Sequence, residues 1–174
     1  MIEIYCTAPL VKRFDLELDT PDQDNSSNAL GAWYATVLNV QNLRLVVWLN
    51  EASNLTLVTR ARRAEFPSQF SSALETLLIR IGIPEPLAAK ERHESSEFRF
   101  VKARDRSLLG SLRDAMLRTR WDLERGLDLE EIEDHMAEMP ARAKAFLFPR
   151  EVVFSRFGLS RPRVTSAGQG RIDV

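Results

Sequence analysis

The hydrophobic pattern of this chain changes period at Arg60-Ala61-Arg62-Arg63, and that switch limits the fold more than any other feature. Before it, residues 35–40, 43–50 and 55–60 form short runs rich in valine, leucine and aromatic side chains, the composition of strands. The Gln41-Asn42 pair between the first two runs is a hairpin signal, and Glu51-Ala52-Ser53-Asn54 separates the second from the third. An antiparallel meander follows from that spacing. After the switch, Phe66, Phe70, Ala73, Leu74, Leu77, Leu78 and Ile81 recur at helical intervals opposite Ser68, Ser71, Ser72, Glu75 and Arg80. Strands grouped first and helices after them describe an α+β domain.

The flanking segments complete the pattern. Residues 2–6 alternate as a strand that Thr7-Ala8-Pro9 should stop, and 97–102 alternate as another. The acidic stretch 15–27 reads as a loop, and Asn28 as the N-cap of a short turn before the meander. A shorter helix is expected over 85–92, after Gly82 and Pro84. Ser107 is expected to cap a second long helix over 107–125, with Leu108, Leu112, Ala115, Met116, Thr119 and Leu123 as its core stripe and Gly126 at its end. An acidic helix over 129–139 stops at Pro140, and the apolar runs 145–148 and 152–154 read as a strand or a docked extended arm. The expected architecture is a single domain over 1–157, a mainly antiparallel sheet with helices packed on one face, followed by a polar, mobile tail over 158–174.

At 174 residues, 44% hydrophobic and 28% charged, the chain can bury a core without staples. Its one cysteine, Cys6, excludes an internal disulfide, and with only His93 and His135 beside it no zinc-ligand spacing can be written. No run approaches the ~20 apolar residues that span a bilayer, and Met1-Ile2-Glu3-Ile4-Tyr5 lacks the features of a signal peptide, so a cytoplasmic protein without a membrane partner is expected. No cofactor is expected either. Neither glycine-containing block described below ends in the Gly-Lys-Ser/Thr of a phosphate loop or carries the three glycines of a dinucleotide fingerprint.

A net charge of −1 conceals segregation: residues 1–30 sum to −4, residues 99–125 to +4, and residues 126–138 hold six acids and no Lys or Arg. Of the 24 basic residues 20 are arginine, whose guanidinium fork binds carboxylate or phosphate bidentately. Arg106, Arg113 and Arg120 recur every seven residues along one side of the expected helix, with Arg104 just before it. If exposed, they form a surface for an acidic protein or for nucleic acid. Internal neutralisation by Asp114, Asp122, Glu124 and the acids of 126–138 is the competing reading, which the near-zero net charge favours.

Two blocks combine a glycine with polar and apolar neighbours: Asn28-Ala-Leu-Gly-Ala-Trp-Tyr-Ala35 and Asp105-Arg-Ser-Leu-Leu-Gly-Ser-Leu-Arg-Asp114. On these blocks the chain resembles a family of uncharacterised bacterial domains over roughly residues 1–150, with Asp105, Leu108, Leu112 and Arg113 departing from that family's Asn, Val, Met and Asn. The resemblance implies a shared fold and no particular reaction. Within the blocks, Gly110 reads as a close-packing position, and Trp33 and Tyr34 as neighbours on opposite strand faces, one in the core and the other partly exposed. Asp114 stands at ion-pair spacing from Arg118.

These observations give a leading functional expectation and an alternative. The first is a non-catalytic binding or regulatory module that engages a protein or nucleic acid, or a second copy of itself, through Asn28, Trp33, Tyr34, Arg104, Asp105, Arg106, Ser107, Arg113, Asp114 and Arg120. The second is an enzyme with a small pocket near Asp105, Ser107, Arg113 and Asp114. His135 lies on the acidic helix with no nucleophile near it in sequence, and Cys6 reads as a small buried hydrophobe.

Overall fold

A computed structural model describes residues 1–20, 28–140 and 147–160. The strands are β1 (Ile2–Cys6), β2 (Trp33–Val40), β3 (Leu43–Asn50), β4 (Thr56–Arg60) and β5 (Phe98–Lys102). The helices are α1 (Ala8–Phe14), α2 (Gln69–Arg80), α3 (Glu85–Glu94), α4 (Arg106–Glu124), α5 (Leu129–Ala137) and α6 (Pro149–Arg156). The sheet order is β4-β3-β2-β1-β5. The expected meander is present, with β2 antiparallel to β3 and β3 to β4, whereas β1 runs parallel to both β2 and β5. The fold is a single α+β domain around an open mixed sheet.

Helices cover both faces of that sheet, and this corrects the expectation of one covered face. Alternation divides each strand between two cores. Ile2, Ile4, Trp33, Ala35, Val46, Trp48 and Leu57 join side chains of α1, α2, α3 and α6 on one side. Tyr34, Leu38, Leu45, Val47, Leu49 and Val58 meet Leu108 and Leu112 of α4 and Ile132 and Met136 of α5 on the other. The unbroken run Leu45-Val46-Val47-Trp48-Leu49 is therefore buried throughout, as a strand sandwiched between two helical layers must be.

The first core is aromatic. Trp48 lies 4.7 Å from Phe70 and 5.6 Å from Phe66, Phe66 stacks on Phe14 at 3.9 Å, and Trp33 meets Phe70 edge-on at 5.2 Å. Phe66 sits before α2 rather than in it, so the helix starts three residues later than its apolar spacing predicts.

Two helices were not expected at all. Pro9 lies in the first turn of α1 and Pro149 opens α6, where a proline lacks only an N–H that would be unpaired anyway and has its φ preset. The run 152–154 is thus helical, with Val153 and Phe154 in the first core, rather than a strand or extended arm. Residues 145–146 lie outside the described residues, as does the expected tail from residue 161 onward.

Candidate functional site

The two blocks singled out in sequence play different parts. The first is a structural clamp. Glu91 of α3 is 1% exposed, and its carboxylate accepts from the Asn28 side-chain amide at 2.8 Å and from the backbone N–H groups of Ala29 at 2.9 Å and Leu30 at 3.3 Å. Burial nevertheless raises its carboxyl above the ordinary range, against those hydrogen bonds. Asn50 closes the other side, its amide donating to the carbonyls of Leu30 at 2.9 Å and Ala32 at 3.2 Å. Asn28 is therefore tied into the fold rather than capping a helix, and Gly31 supplies the φ of 73° that the turn needs.

Trp33 and Tyr34 are both buried, so neither is the exposed aromatic expected from their alternation. Each points to one of the two cores, because both faces are covered. Tyr34 stacks on Tyr5 at 4.8 Å, and burial, aided by Glu51 and Asp105, pushes its hydroxyl up to about 12.

The second block opens α4. Asp105, not Ser107, is the N-cap: its carboxylate accepts from the Leu108 N–H at 2.9 Å, and Ser107 is exposed in the first turn. Leu108, Leu112, Ala115, Thr119 and Asp122 turn inward, which aims the opposite side of the 19-residue helix at solvent. Arg104, Arg106, Arg113, Arg118 and Arg120 are all exposed. Among the described residues, Arg104, Arg106, Arg113 and Arg120 enter no ion pair, so internal neutralisation of the stripe is not what the fold does. The Asp114–Arg118 pair suggested by spacing does not form; Arg118 instead reaches the Met139 sulfur at 3.2 Å. Asp122 is buried, with Arg125 at 3.6 Å and the His135 Nδ1 within hydrogen-bond distance at 3.1 Å.

Leu117 and Trp121 interrupt this polar face, exposed by 37% and 59%. Trp121 was missed in the sequence reading although its signal was there: the inward stripe at 108, 112, 115 and 119 places 117 and 121 outward at 100° per residue. Gly110 shares their side of the helix, and a Cβ built on it would meet nothing within 4 Å, so it is not a packing glycine. Beside Leu117 and Trp121 a groove of about 310 Å³ runs past Arg118 to Met136, Met139 and Pro140.

Asp105, Ser107, Arg113 and Asp114 do not converge. Asp114 lies nine positions beyond Asp105, about 13 Å along the axis at ~1.5 Å per residue, and Asp105 is engaged as a cap. Cys6 is 1% exposed and burial pushes its thiol up to about 12, far from a nucleophile's range. Among the described residues no three His, Cys, Asp or Glu are grouped to hold a metal ion, and no helix is long and apolar enough to cross a membrane.

Residues 3–152 match the model of the family described as Domain of unknown function (DUF6933). The chain belongs to that family. The match takes in both blocks and ends within α6. No curated protein and no solved structure matches the chain. Membership in the DUF6933 family thus accords with the resemblance seen in the two blocks, and the reading of function rests on the geometry of α4.

Proposed function

We propose that this chain is a non-catalytic protein-binding module whose partner docks along the outward face of α4. The observation that carries the reading is Trp121, 59% exposed on a helix face where Arg113, Arg118 and Arg120 have no carboxylate partner among the described residues. An exposed tryptophan flanked by arginines has the composition of an interface hot spot, where an aromatic anchor is buried and guanidinium forks take acidic groups. Gly110 supports it. A glycine within an exposed helix costs about 0.5–1 kcal/mol relative to alanine, and here no internal packing offsets that cost, whereas a partner backbone could approach it closely.

An acidic protein surface fits better than nucleic acid. The net charge is −1, and the exposed Leu117 and Trp121 give the face an apolar centre that a protein surface would bury, whereas phosphate contacts would engage its arginines alone. The buried free thiol of Cys6 agrees with a reducing, cytoplasmic setting.

The test is affinity capture with the full chain as bait, comparing wild type with Trp121→Ala and with Arg113→Glu/Arg120→Glu. A protein retained by wild type and reduced about tenfold or more by both variants is the expected outcome, the loss of ~1.4 kcal/mol or more that a hot-spot residue carries. Identical retained sets from all three baits contradict the reading. Binding to mixed oligonucleotides that weakens steeply with salt would transfer this face to nucleic acid and overturn the choice of partner.

A further inference from the structure

A second site lies away from the outward face of Trp121, where the sheet topology reverses. The chain leaves β1 into α1 on the aromatic side of the sheet, and leaves the adjacent parallel strand β5 into α4 on the other side. Connections that depart to opposite faces from neighbouring parallel strands leave a crevice outside their carboxyl ends, the place where open α/β sheets bind ligands. The strands stay joined up to that point, the Ala103 N–H donating to the Cys6 carbonyl at 3.0 Å.

The crevice is there, with a volume of about 510 Å³. Cys6 forms part of its floor, Val11 of α1 and Leu109 of α4 face it from either side, and Leu18 borders it. Leu18 is brought there because the chain after α1 returns along the outer edge of β5, where the Asp19 N–H donates to the Phe100 carbonyl at 2.8 Å. It is 40% exposed, an apolar side chain left facing solvent. Lys12 and Lys102 complete the lining, two of only four lysines in a chain with 20 arginines. Among the described residues no acid lines the crevice and neither lysine enters an ion pair.

We propose that this crevice binds a small organic monoanion with an apolar body, a medium-chain or aryl carboxylate, its charge met by Lys12 and Lys102 and its apolar body by Val11, Leu18 and Leu109. The volume falls in the range of small-molecule sites, ~300–1,000 Å³, and a mostly apolar lining with a few polar groups is their usual make-up. Two ammonium groups, with no ion-pair partner and no lining carboxylate among the described residues, favour an anion over a cation or a neutral molecule. Binding is reversible and non-covalent, since the Cys6 thiol stays protonated at neutral pH and is hydrogen-bonded to the Ile4 carbonyl at 3.3 Å.

The experiment is an NMR titration of the full chain with octanoate and 3-phenylpropionate, each paired with its neutral alcohol, 1-octanol and 3-phenylpropanol. Saturable shifts at Cys6, Thr7, Lys102, Ala103 and Leu109 are expected, with the carboxylates bound more tightly than the alcohols. Lys12→Gln/Lys102→Gln should weaken the carboxylates at least about tenfold and leave the alcohols within about twofold, because the variant removes the charges that the carboxylate pairs with and keeps the apolar lining. Leu18→Ser, at an exposed position that leaves the fold intact, should weaken both classes. The proposal is overturned by shifts clustered instead around Trp121, by alcohols binding as tightly as carboxylates, by affinities unchanged in the double lysine variant, or by no saturation up to about 10 mM, beyond which affinity is negligible.

Discussion

Glu133 shows how much of this protein's behaviour is set by one side chain. Its carboxylate enters the space between α5 and β4, accepting from the Val58 N–H at 2.7 Å and from Arg80 at 2.5 Å. Desolvation outweighs both partners and raises its pKa to about 7 from an ordinary 4.5. Between those values the folded chain holds a proton that the unfolded chain releases. This group's contribution is therefore complete below about pH 4.5 and is lost as pH rises through about 7. Thermal melts should show wild-type Tm falling more steeply than that of Glu133→Gln from about pH 5 to about pH 8, and parallel slopes would refute the assignment. Glu91→Ala should cost about 3 kcal/mol or more in denaturant unfolding, because it strips the acceptor from Asn28, Ala29 and Leu30 and each unsatisfied buried donor costs at least about 1. A loss under about 0.5 kcal/mol would mean that water replaces the carboxylate. Asn28 looked like a ligand residue in sequence because its partner, Glu91, stands 63 positions away, and long-range pairing of polar groups leaves no local pattern.

At the scale of elements, helices with an amphipathic stripe were legible and those opened by proline were not. The spacing of Phe70, Leu74, Leu77 and Leu78 defined α2, and that of Leu108, Leu112, Ala115 and Thr119 defined α4. Pro9 was read as stopping a strand and Pro149 as dividing two apolar runs, although proline is favoured in a helix's first turn. The cap of α4 was placed two residues late, since Asp105 and Ser107 are both good cap residues and only the backbone conformation distinguishes them. Two substitutions on α4 separate structural from functional roles. Asp105→Ala should destabilise by about 1 kcal/mol through loss of the cap. Gly110→Ala should stabilise by about 0.5–1 kcal/mol, since its Cβ meets nothing, while weakening capture of the partner. A stabilised Gly110→Ala protein with undiminished capture would remove Gly110 from the interface.

For the whole molecule, the class was legible from the order of strand and helix patterns, but the placement of β1 was not. Parallel pairing of β1 with both β2 and β5 joins segments about 30 and 96 residues apart, and nothing in the alternation of Ile2–Cys6 specifies its neighbours. The covering of both faces had a signal in the unbroken apolar run Leu45–Leu49, which a half-exposed strand would not carry. Covering both faces also decides where function can sit. It buries Trp33 and Tyr34 and leaves Trp121 as the exposed tryptophan, since Trp33 and Trp48 are at 0%. Site-specific photo-crosslinking in living cells tests that assignment most directly, with the reactive group at Leu117 on the outward face of α4 and, as control, at Thr76 on α2. The expected result is a discrete protein adduct at position 117 that is absent at 76 and is lost when Arg113→Glu/Arg120→Glu is added. Equal labelling from both positions, or a position-117 adduct indifferent to the arginines, would contradict a docking face on α4.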